Sequence, residues 1–224
     1  MRVMLKYLFL CLPIPLLIGG CATDPWKDVP DFEVADFICP VPGGKFLDHT
    51  NFVANWSVLG PLDPGRNPSL HTELLRDEAL LNGNCRAPRG IRWCRAAARN
   101  EDEAETEPGA VDFSARFKAH SRGQQKSVFY ACATLKCDQE YKGITLYAAG
   151  CGQLKIWING KTVYSHEHGA ENLKSGTAKV EDLMLVKGCN RLVLKYMDDG
   201  KDFWNRRRFS VRFTDSAGNL SNVR

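Results

Sequence analysis

One short-range signal in the chain is specific for antiparallel strands. The dipeptide Asn159-Gly160 separates an alternating run, 154–158, from a second β-rich run, 162–164. A two-residue hairpin loop favours a type I′ turn, in which both central residues need a positive φ, and Asn-Gly meets that need best. We therefore predict an antiparallel hairpin at this point, and a sheet that continues from it.

Short apolar runs punctuated by turn residues continue on both sides of the hairpin. One stretch, 70–81, has a helix-like pattern instead. No alternation of strands with helices suggests a parallel sheet, so the pattern predicts an all-β fold, an antiparallel jelly-roll-like β-sandwich with a minor helix. We assign this domain to residues 51–224. The predicted strands cover residues 52–59, 91–97, 111–117, 127–135, 144–148, 154–158, 162–164, 183–186, 191–196 and 208–213.

The first twenty residues have the features of an export signal. Two basic residues precede a mostly apolar run, 7–18, which is too short to cross a bilayer. The run ends in Ile-Gly-Gly-Cys, which resembles the bacterial lipobox, whose cysteine is acylated and becomes the first residue of the mature chain. We predict a lipoprotein signal peptide over 1–20, a lipid on Cys21 and a tether over 21–50. An ordinary secretory signal with a chance cysteine is the alternative.

The same resemblance bears on the location of the protein. Ala22 follows the predicted lipidated cysteine, whereas many lipoproteins retained at the inner membrane carry an aspartate there. We therefore expect a cell-envelope protein held at the outer membrane. Several acyl chains anchor a protein stably, whereas a single chain binds only marginally.

The chain has nine cysteines, of which Cys11 leaves with the predicted signal and Cys21 would carry the lipid. An exported protein can keep disulfides, but seven thiols cannot all pair within one chain. Cys85 and Cys94 flank a turn-rich stretch, and we predict that they form a local bridge. The other cysteines either pair elsewhere or are small buried side chains. The remaining seven are Cys39, Cys85, Cys94, Cys132, Cys137, Cys151 and Cys189.

Three segments carry motifs in a characteristic order. They are residues 55–62 (NWSVLGPL), 155–163 (KIWINGKTV) and 185–195 (LVKGCNRLVLK). They resemble, in turn, the opening W-x-x-x-G-P-F, the hairpin K-V-W-L-N-G-K-x-V and the strand L-K-K-G-W-N-x-L-L-L-K of envelope-associated jelly-roll modules of the galactose-binding-like class. The likeness extends over about 52–216. It implies the sandwich fold, and it implies a module of a class whose members bind glycans or pack against a catalytic neighbour in a larger polypeptide.

Charge and motif content argue against two functional classes. Thirty Lys and Arg residues against 26 Asp and Glu leave a net charge of only +4, whereas nucleic-acid binders that neutralise phosphates usually show a clearer basic excess. The sequence has no nucleophile elbow, no zinc-protease helix motif and no phosphate-binding glycine loop. We therefore predict no nucleic-acid partner, no cofactor and no catalytic activity.

Three polar clusters each have a functional and a plainer interpretation. His166 and His168 occupy alternate positions and could share a metal, or they could edge a solvated loop. The carboxylates within 101–107 could serve glycoside hydrolysis, or they could simply be solvated. The arginines of 206–208 could attract anions, or they could flank a strand. We favour the plainer interpretation in each case and predict no metal site.

A glycan site would need flat rings, because sugar C–H faces stack on them. The aliphatic residues of the first hairpin strand share one face, so Trp157 points the other way, as does Asn159. Trp204 and Arg206 precede the last strand in a loop-like stretch. We predict that these four residues form the ligand site. The alternative is that Trp157 is covered by the loop 82–110 or by the tether.

Two functional hypotheses follow from these features. The leading one is a non-catalytic envelope lipoprotein with a carbohydrate-binding-like module. The alternative is a structural or interaction lipoprotein whose sandwich docks a protein partner in the envelope. In both, the lipid anchor makes the membrane a partner.

Overall fold

Strands form where apolar and polar residues alternate between turn residues. The computed structural model describes residues 52–66, 69–83, 85–88, 90–98, 109–117, 126–167, 178–198 and 207–215. The predicted signal peptide (1–20), Cys21 and the tether (21–50) lie outside them. The described residues include two short helices, a 3₁₀ turn at Glu78–Leu80 and α1 at Phe113–Arg116. The strands are β1 (Asn55–Leu62), β2 (Cys94–Ala97), β3 (Val111–Asp112), β4 (Ser127–Cys137), β5 (Tyr141–Gly150), β6 (Gln153–Ile158), β7 (Lys161–His166), β8 (Ala178–Leu185), β9 (Gly188–Asp198) and β10 (Arg208–Thr214).

The described strands pair antiparallel throughout and form two sheets. The larger sheet has the order β2-β1-β4-β9-β6-β7, and the smaller has the order β3-β10-β5-β8. The longest pairing joins β4 to β9 over their full length, from Ser127 opposite Asp198 to Cys137 opposite Gly188. The predicted all-β, antiparallel jelly-roll-like sandwich with a minor helix is confirmed.

Two predicted elements differ from the structure. The stretch 70–81 forms only the 3₁₀ turn at its end, because its leucines are used to pack on a sheet instead of lining one face of a helix. The strand predicted over 111–117 ends at Asp112. The carboxylate of Asp112 accepts hydrogen bonds from the backbone N–H of Ser114 at 2.8 Å and of Ala115 at 3.2 Å, which caps α1.

The inner core between the sheets is built on aromatic rings. Trp56 of β1 meets Phe209 of β10 edge-on, with ring centroids 5.0 Å apart. Phe113 of α1 stacks on Phe129 of β4 at 4.6 Å and also contacts Tyr196 of β9 at 5.4 Å. These contacts identify the face of the larger sheet that is turned toward the smaller one. Since side chains alternate along a strand, the residues between them point to the opposite, outer face.

The predicted hairpin is present between β6 and β7. Ile158 pairs with Lys161, and the two residues between them have positive φ, 50° at Asn159 and 83° at Gly160. Both central residues therefore adopt the backbone sign that a type I′ turn requires. The turn prediction from the dipeptide is confirmed.

The outer face of the larger sheet is apolar and is covered by a second layer of chain. We call the described part of residues 69–93 the covering segment. Its leucines Leu70, Leu75 and Leu81 are buried against side chains of the sheet, and the whole set forms the outer cluster. The sheet residues of the outer cluster are Leu59, Leu62, Val128, Tyr130, Cys132, Trp157, Val193 and Met197.

A buried ion pair joins the covering segment to the sheet. Lys195 of β9 has no exposed side-chain surface, and its Nζ lies 3.0 Å and 3.2 Å from the carboxylate oxygens of Glu78. Tyr130 donates its hydroxyl to the same carboxylate, and the backbone N–H of Leu74 donates to it at 2.7 Å. Lys195 also donates to the carbonyl of Thr72. The charges are thus paired and hydrogen-bonded within an apolar layer, as buried ions require.

Replacing Lys195 by alanine should leave the Glu78 carboxylate buried without its cation. We expect the free energy of unfolding to fall by about 3–5 kcal/mol, as for other broken buried pairs. Lys142→Ala is the matched control, because Lys142 pairs with Glu140 at 3.0 Å on the surface, and its loss should cost no more than about 1 kcal/mol. Urea denaturation measures both.

The double variant Lys195→Met/Glu78→Gln removes both charges together and should recover most of the loss. A cost for Lys195→Ala as small as that for Lys142→Ala would show that the ion pair does not hold the covering segment.

Candidate functional site

The structure buries the residue on which the predicted glycan site was centred. Trp157 points away from the inner core, as its position in the strand predicts, but it lies in the outer cluster with 4% of its surface exposed. Lys155 places its Nζ 5.0 Å from the centre of the Trp157 ring. The ring therefore offers no open face to a sugar, and it acts as a packing residue. Trp157 is therefore covered, as the alternative expected, but the described cover is residues 69–93, which overlap only the first part of the loop 82–110, and the tether lies outside the described residues.

Asn159 is exposed, yet its amide is used within the fold. Its Oδ1 accepts the backbone N–H of Arg191 at 2.8 Å, and its Nδ2 donates to Oδ1 of Asn190 at 2.9 Å. Asn190 is fully buried and also binds both the N–H and the carbonyl of Val186, at 2.9 Å and 2.8 Å. The two asparagines of the motifs thus tie the β6–β7 turn to the β8–β9 turn. The presence of these two asparagines in the motifs is therefore explained by the contacts that join the two turns.

The opening motif also has a structural cause. Trp56 donates its indole N–H to the carbonyl of Val53 at 2.9 Å and fills the inner core. At Gly60, a Cβ atom would lie 2.5 Å from Cδ1 of Phe129, so no larger residue fits without a shift. Trp56 and Gly60 therefore specify packing of the inner core.

Trp204 and Arg206 lie outside the described residues, so their predicted role stays a prediction. The chain on both sides of them is described. Asp198 ends β9 opposite Ser127, and Arg207 precedes β10 and places its Nε 2.5 Å from Oδ2 of Asp198. Asp198 and Arg207, which flank the segment that carries Trp204 and Arg206, are therefore joined by a buried ion pair at one end of the larger sheet.

The predicted bridge between Cys85 and Cys94 is not seen in this structure, which has both residues as free thiols. Cys94 pairs with Val58 across β1 and β2, and its Sγ lies 3.6 Å from the Val58 carbonyl. Cys85 belongs to the covering segment and exchanges hydrogen bonds with Asn82. Cys94 is thus on the inner side of the larger sheet and Cys85 on the outer side, so the sheet separates the two sulfurs.

Burial shifts the pKa values of Tyr130 and Lys195, which both contact Glu78. Burial raises the pKa of Tyr130 far above its usual range, and its hydrogen bond to the Glu78 carboxylate raises it further. Burial also lowers the pKa of Lys195, against the opposing effect of Glu78. Strong shifts of this kind mark functional sites as well as structural ion pairs. Here the groups are enclosed by the outer cluster, and their arrangement serves attachment of the covering segment.

A cavity lined partly by polar side chains lies at the end of the larger sheet, where β1 ends and β4 begins. The cavity has a volume of about 370 Å³ and is lined by residues 61–65 and by Lys126 and Ser127. Pairing of Leu62 with Val128 brings these two segments together. Asp63 accepts the backbone N–H of Gly65 at 2.8 Å, which orders the turn that forms one wall. The sequence prediction missed this site, although the Asp-Pro-Gly turn that forms the wall is visible in the sequence.

Two histidines make pairwise contacts in the described part of the chain. His71 pairs with Glu167 at 3.0 Å on the surface, His166 stacks on Tyr164 with ring centroids 6.1 Å apart, and His168 lies outside the described residues. Nowhere among the residues described do three His, Cys, Asp or Glu side chains gather closely enough to hold a metal ion. The described helices also include none long and apolar enough to cross a membrane.

Comparison with known proteins gives similarity to solved structures only. No protein-family model and no curated protein sequence matches the chain. A β-glucosidase from Kluyveromyces marxianus is similar over 73% of this chain and 16% of its own, with 11% identity and a TM-score of 0.41. A β-glucuronidase from Faecalibacterium prausnitzii is similar over 73% and 30%, with 11% identity and a TM-score of 0.39.

An anti-sigma factor domain-containing protein from Clostridium clariflavum is similar over 87% of this chain and 51% of its own, with 12% identity and a TM-score of 0.38. This chain therefore spans between about a sixth and a half of these proteins. What it binds has to follow from its own residues.

Replacing Trp157 by alanine should destabilise the domain, because it opens a cavity beneath the covering segment. We expect the free energy of unfolding to fall by about 3–5 kcal/mol. Leu80→Ala is the matched control, since Leu80 lies in the same segment but is half exposed, and its cost should stay under about 1 kcal/mol. Chemical denaturation followed by fluorescence measures both. An unchanged unfolding midpoint in Trp157→Ala would show that the ring is not a packing residue.

Proposed function

We propose that this protein is a non-catalytic binding module of the cell envelope, anchored by lipid at Cys21, and that the cavity beside β1 binds carbohydrate. The cavity is the observation that supports the proposal. It combines a carboxylate, an ammonium group and a hydroxyl, from Asp63, Lys126 and Ser127, with the apolar lining residues Pro61, Leu62 and Pro64.

The chemistry of these groups suits a polyhydroxylated ligand. A carboxylate accepts hydrogen bonds from neighbouring hydroxyls, while an ammonium group donates to hydroxyl oxygens, so each hydroxyl finds a partner. Proline and leucine surfaces suit the C–H faces of a sugar ring. The volume of about 370 Å³ lies at the lower end of the range of small-molecule sites, about 300–1,000 Å³. One or two sugar residues would fill it.

The same lining supports binding without catalysis. Glycoside hydrolysis generally uses two carboxyl groups placed about 5–9.5 Å apart across the scissile bond. Among the described residues that line the cavity, Asp63 supplies the only carboxyl group. We therefore propose that the sugar is held and released unchanged.

A glycan array followed by calorimetry tests the proposal on the full chain in detergent. Asp63→Ala should weaken binding of a glycan hit by about tenfold or more, the equivalent of one or two good hydrogen bonds. Lys142→Ala is the control, because Lys142 lies at the far end of β5 from this cavity. The proposal fails if no glycan binds at millimolar concentration, or if Asp63→Ala binds as tightly as the unaltered protein.

A second candidate function, docking of a protein partner, is favoured by a different observation. Leu80, Met184 and Val186 are large apolar side chains that are 50%, 51% and 38% exposed. Arg191 donates to the carbonyl of Leu80 at 2.9 Å, and Asn190 donates to that of Val186 at 2.8 Å. Leu80 and Val186 therefore lie at the end of the larger sheet opposite the cavity, and Met184 is two residues before Val186. A stoichiometric partner lost in Leu80→Asp but kept in Asp63→Ala would favour this function.

The lipid anchor rests on the sequence before the described residues. We expect Cys21→Ser to abolish incorporation of radiolabelled palmitate and to release the protein from membranes, because only the thiol forms the thioether. Cys189→Ser is the control, because Cys189 is an exposed thiol within the sandwich, and labelling should be unchanged. Palmitate that persists in Cys21→Ser would contradict the proposed anchor.

A further inference from the structure

Two cysteines converge on the outer cluster from different layers of the molecule. Cys132 of β4 is 3% exposed and lies within the cluster, opposite Ser57 on the neighbouring strand. Cys85 of the covering segment is half-buried and packs against the same cluster. Both are thiols in this structure. We propose that Cys85 and Cys132 form a disulfide when the protein is oxidised, and that this bond fastens the covering segment to the larger sheet.

The face of the larger sheet to which each cysteine points distinguishes this pair from the other cysteines. Cys94 lies on the inner side, since its partner Val58 also pairs with Ala131, the inward-facing neighbour of Cys132. Cys137 points inward as well, and Cys189 sits opposite Lys136 and therefore points outward. Cys137 and Cys189 are thus on opposite faces although they are close in the sheet. Within the described part of the outer cluster and the side chains packed on it, the thiols are Cys85 and Cys132.

The local structure also holds Cys85 in place over the cluster. The indole N–H of Trp93 donates to the Cys85 carbonyl at 2.8 Å, and the backbone N–H of Cys85 donates to the carbonyl of Asn82 at 3.0 Å. The position of its side chain is therefore set by a turn that is itself packed on the sheet. Forming the bond requires the two Cβ atoms to come within about 3.5–4.5 Å of each other.

Electrostatics agree with the placement of both thiols at the outer cluster. Burial raises the pKa of the Cys132 thiol well above its ordinary value, and negative charge on Cys85 raises it further. Cys132 is consequently the slow partner, and Cys85, which is partly open to solvent, is the thiol that reacts first.

The chemistry needs a disulfide as oxidant, either a small molecule or a protein. The Cys85 thiolate attacks one sulfur of that disulfide, which releases one thiol and leaves a mixed disulfide on Cys85. Cys132 then loses its proton and attacks Cys85 Sγ, which expels the second thiol. The two cysteines lose two electrons in total, and the oxidant accepts them as it becomes two thiols. An exported protein meets such oxidants in the bacterial envelope.

The bond would close a loop of 48 residues, from Cys85 to Cys132. Loops of this length give substantial stabilisation by restricting the unfolded chain. The covering segment lies inside that loop from Cys85 onward, and the Lys195–Glu78 pair holds its earlier part. The two attachments together would keep Trp157 enclosed. The inference does not depend on what the cavity binds.

Disulfide mapping tests the proposal directly. The full chain, reduced and then exposed to oxidised glutathione, is alkylated and digested with trypsin without reduction. Cys85 and Cys132 fall in separate tryptic peptides, 77–86 and 127–136, each with a single cysteine. We expect these two peptides to be recovered as one linked species. Recovery of Cys85 as a glutathione adduct with Cys132 alkylated, or of Cys85 linked to another cysteine, would overturn the proposal.

Matched variants separate the bond from general oxidation. Cys94→Ser should form the 85–132 link as the unaltered protein does, and Cys85→Ser should leave Cys132 as a thiol. Reduction should lower the melting temperature of the unaltered protein by on the order of 10 °C and leave that of Cys85→Ser unchanged. An equal response of the two proteins to reduction would contradict the role of the bond as a fastening.

Discussion

The architecture depends on one constraint, namely that the larger sheet is largely apolar on both faces. Side chains alternate along each strand, so a strand such as β4 sends Phe129 and Ala131 to one side and Tyr130 and Cys132 to the other. Leaving one such row in water would forgo about 1.5–3 kcal/mol for each large side chain that could be buried. The smaller sheet covers one face, and the covering segment covers the other. The sandwich is therefore a three-layer structure over this sheet.

Polar interactions determine where the third layer sits. Leucines alone could slide over an apolar surface, because the hydrophobic effect has no direction. Glu78 is different, since its carboxylate has to reach Lys195, the Tyr130 hydroxyl and the N–H of Leu74 at once. A buried ion pair adds little net stability once desolvation is counted, but breaking it is costly. We therefore infer that this cluster mainly fixes where the covering segment lies on the sheet. It contributes less to how tightly the segment is held.

Because both faces of the larger sheet are covered, the cavity and the exposed apolar side chains lie at the ends of the sandwich. One end carries the cavity with Asp63 and Lys126, close to the buried pair of Asp198 and Arg207. The other end carries the two tight turns joined by Asn159 and Asn190, with exposed apolar side chains beside them. Strand ends are where loops can vary without disturbing the packed layers, so binding sites commonly lie there. The two proposed functions correspond to these two ends.

The sequence by itself determined most of the strands, the hairpin and the side of the sheet to which Trp157 points. Those properties are local, because turn chemistry at Asn159-Gly160 and a period of two residues act over a few positions. They were enough to predict that Trp157 points away from the inner core. Only the tertiary structure decided what lies on that side, and it placed the covering segment there instead of solvent. The same limit applies to Cys85 and Cys94, which are near in sequence but separated by a sheet. Periodicity reports a direction, whereas burial depends on which distant segment packs in that direction.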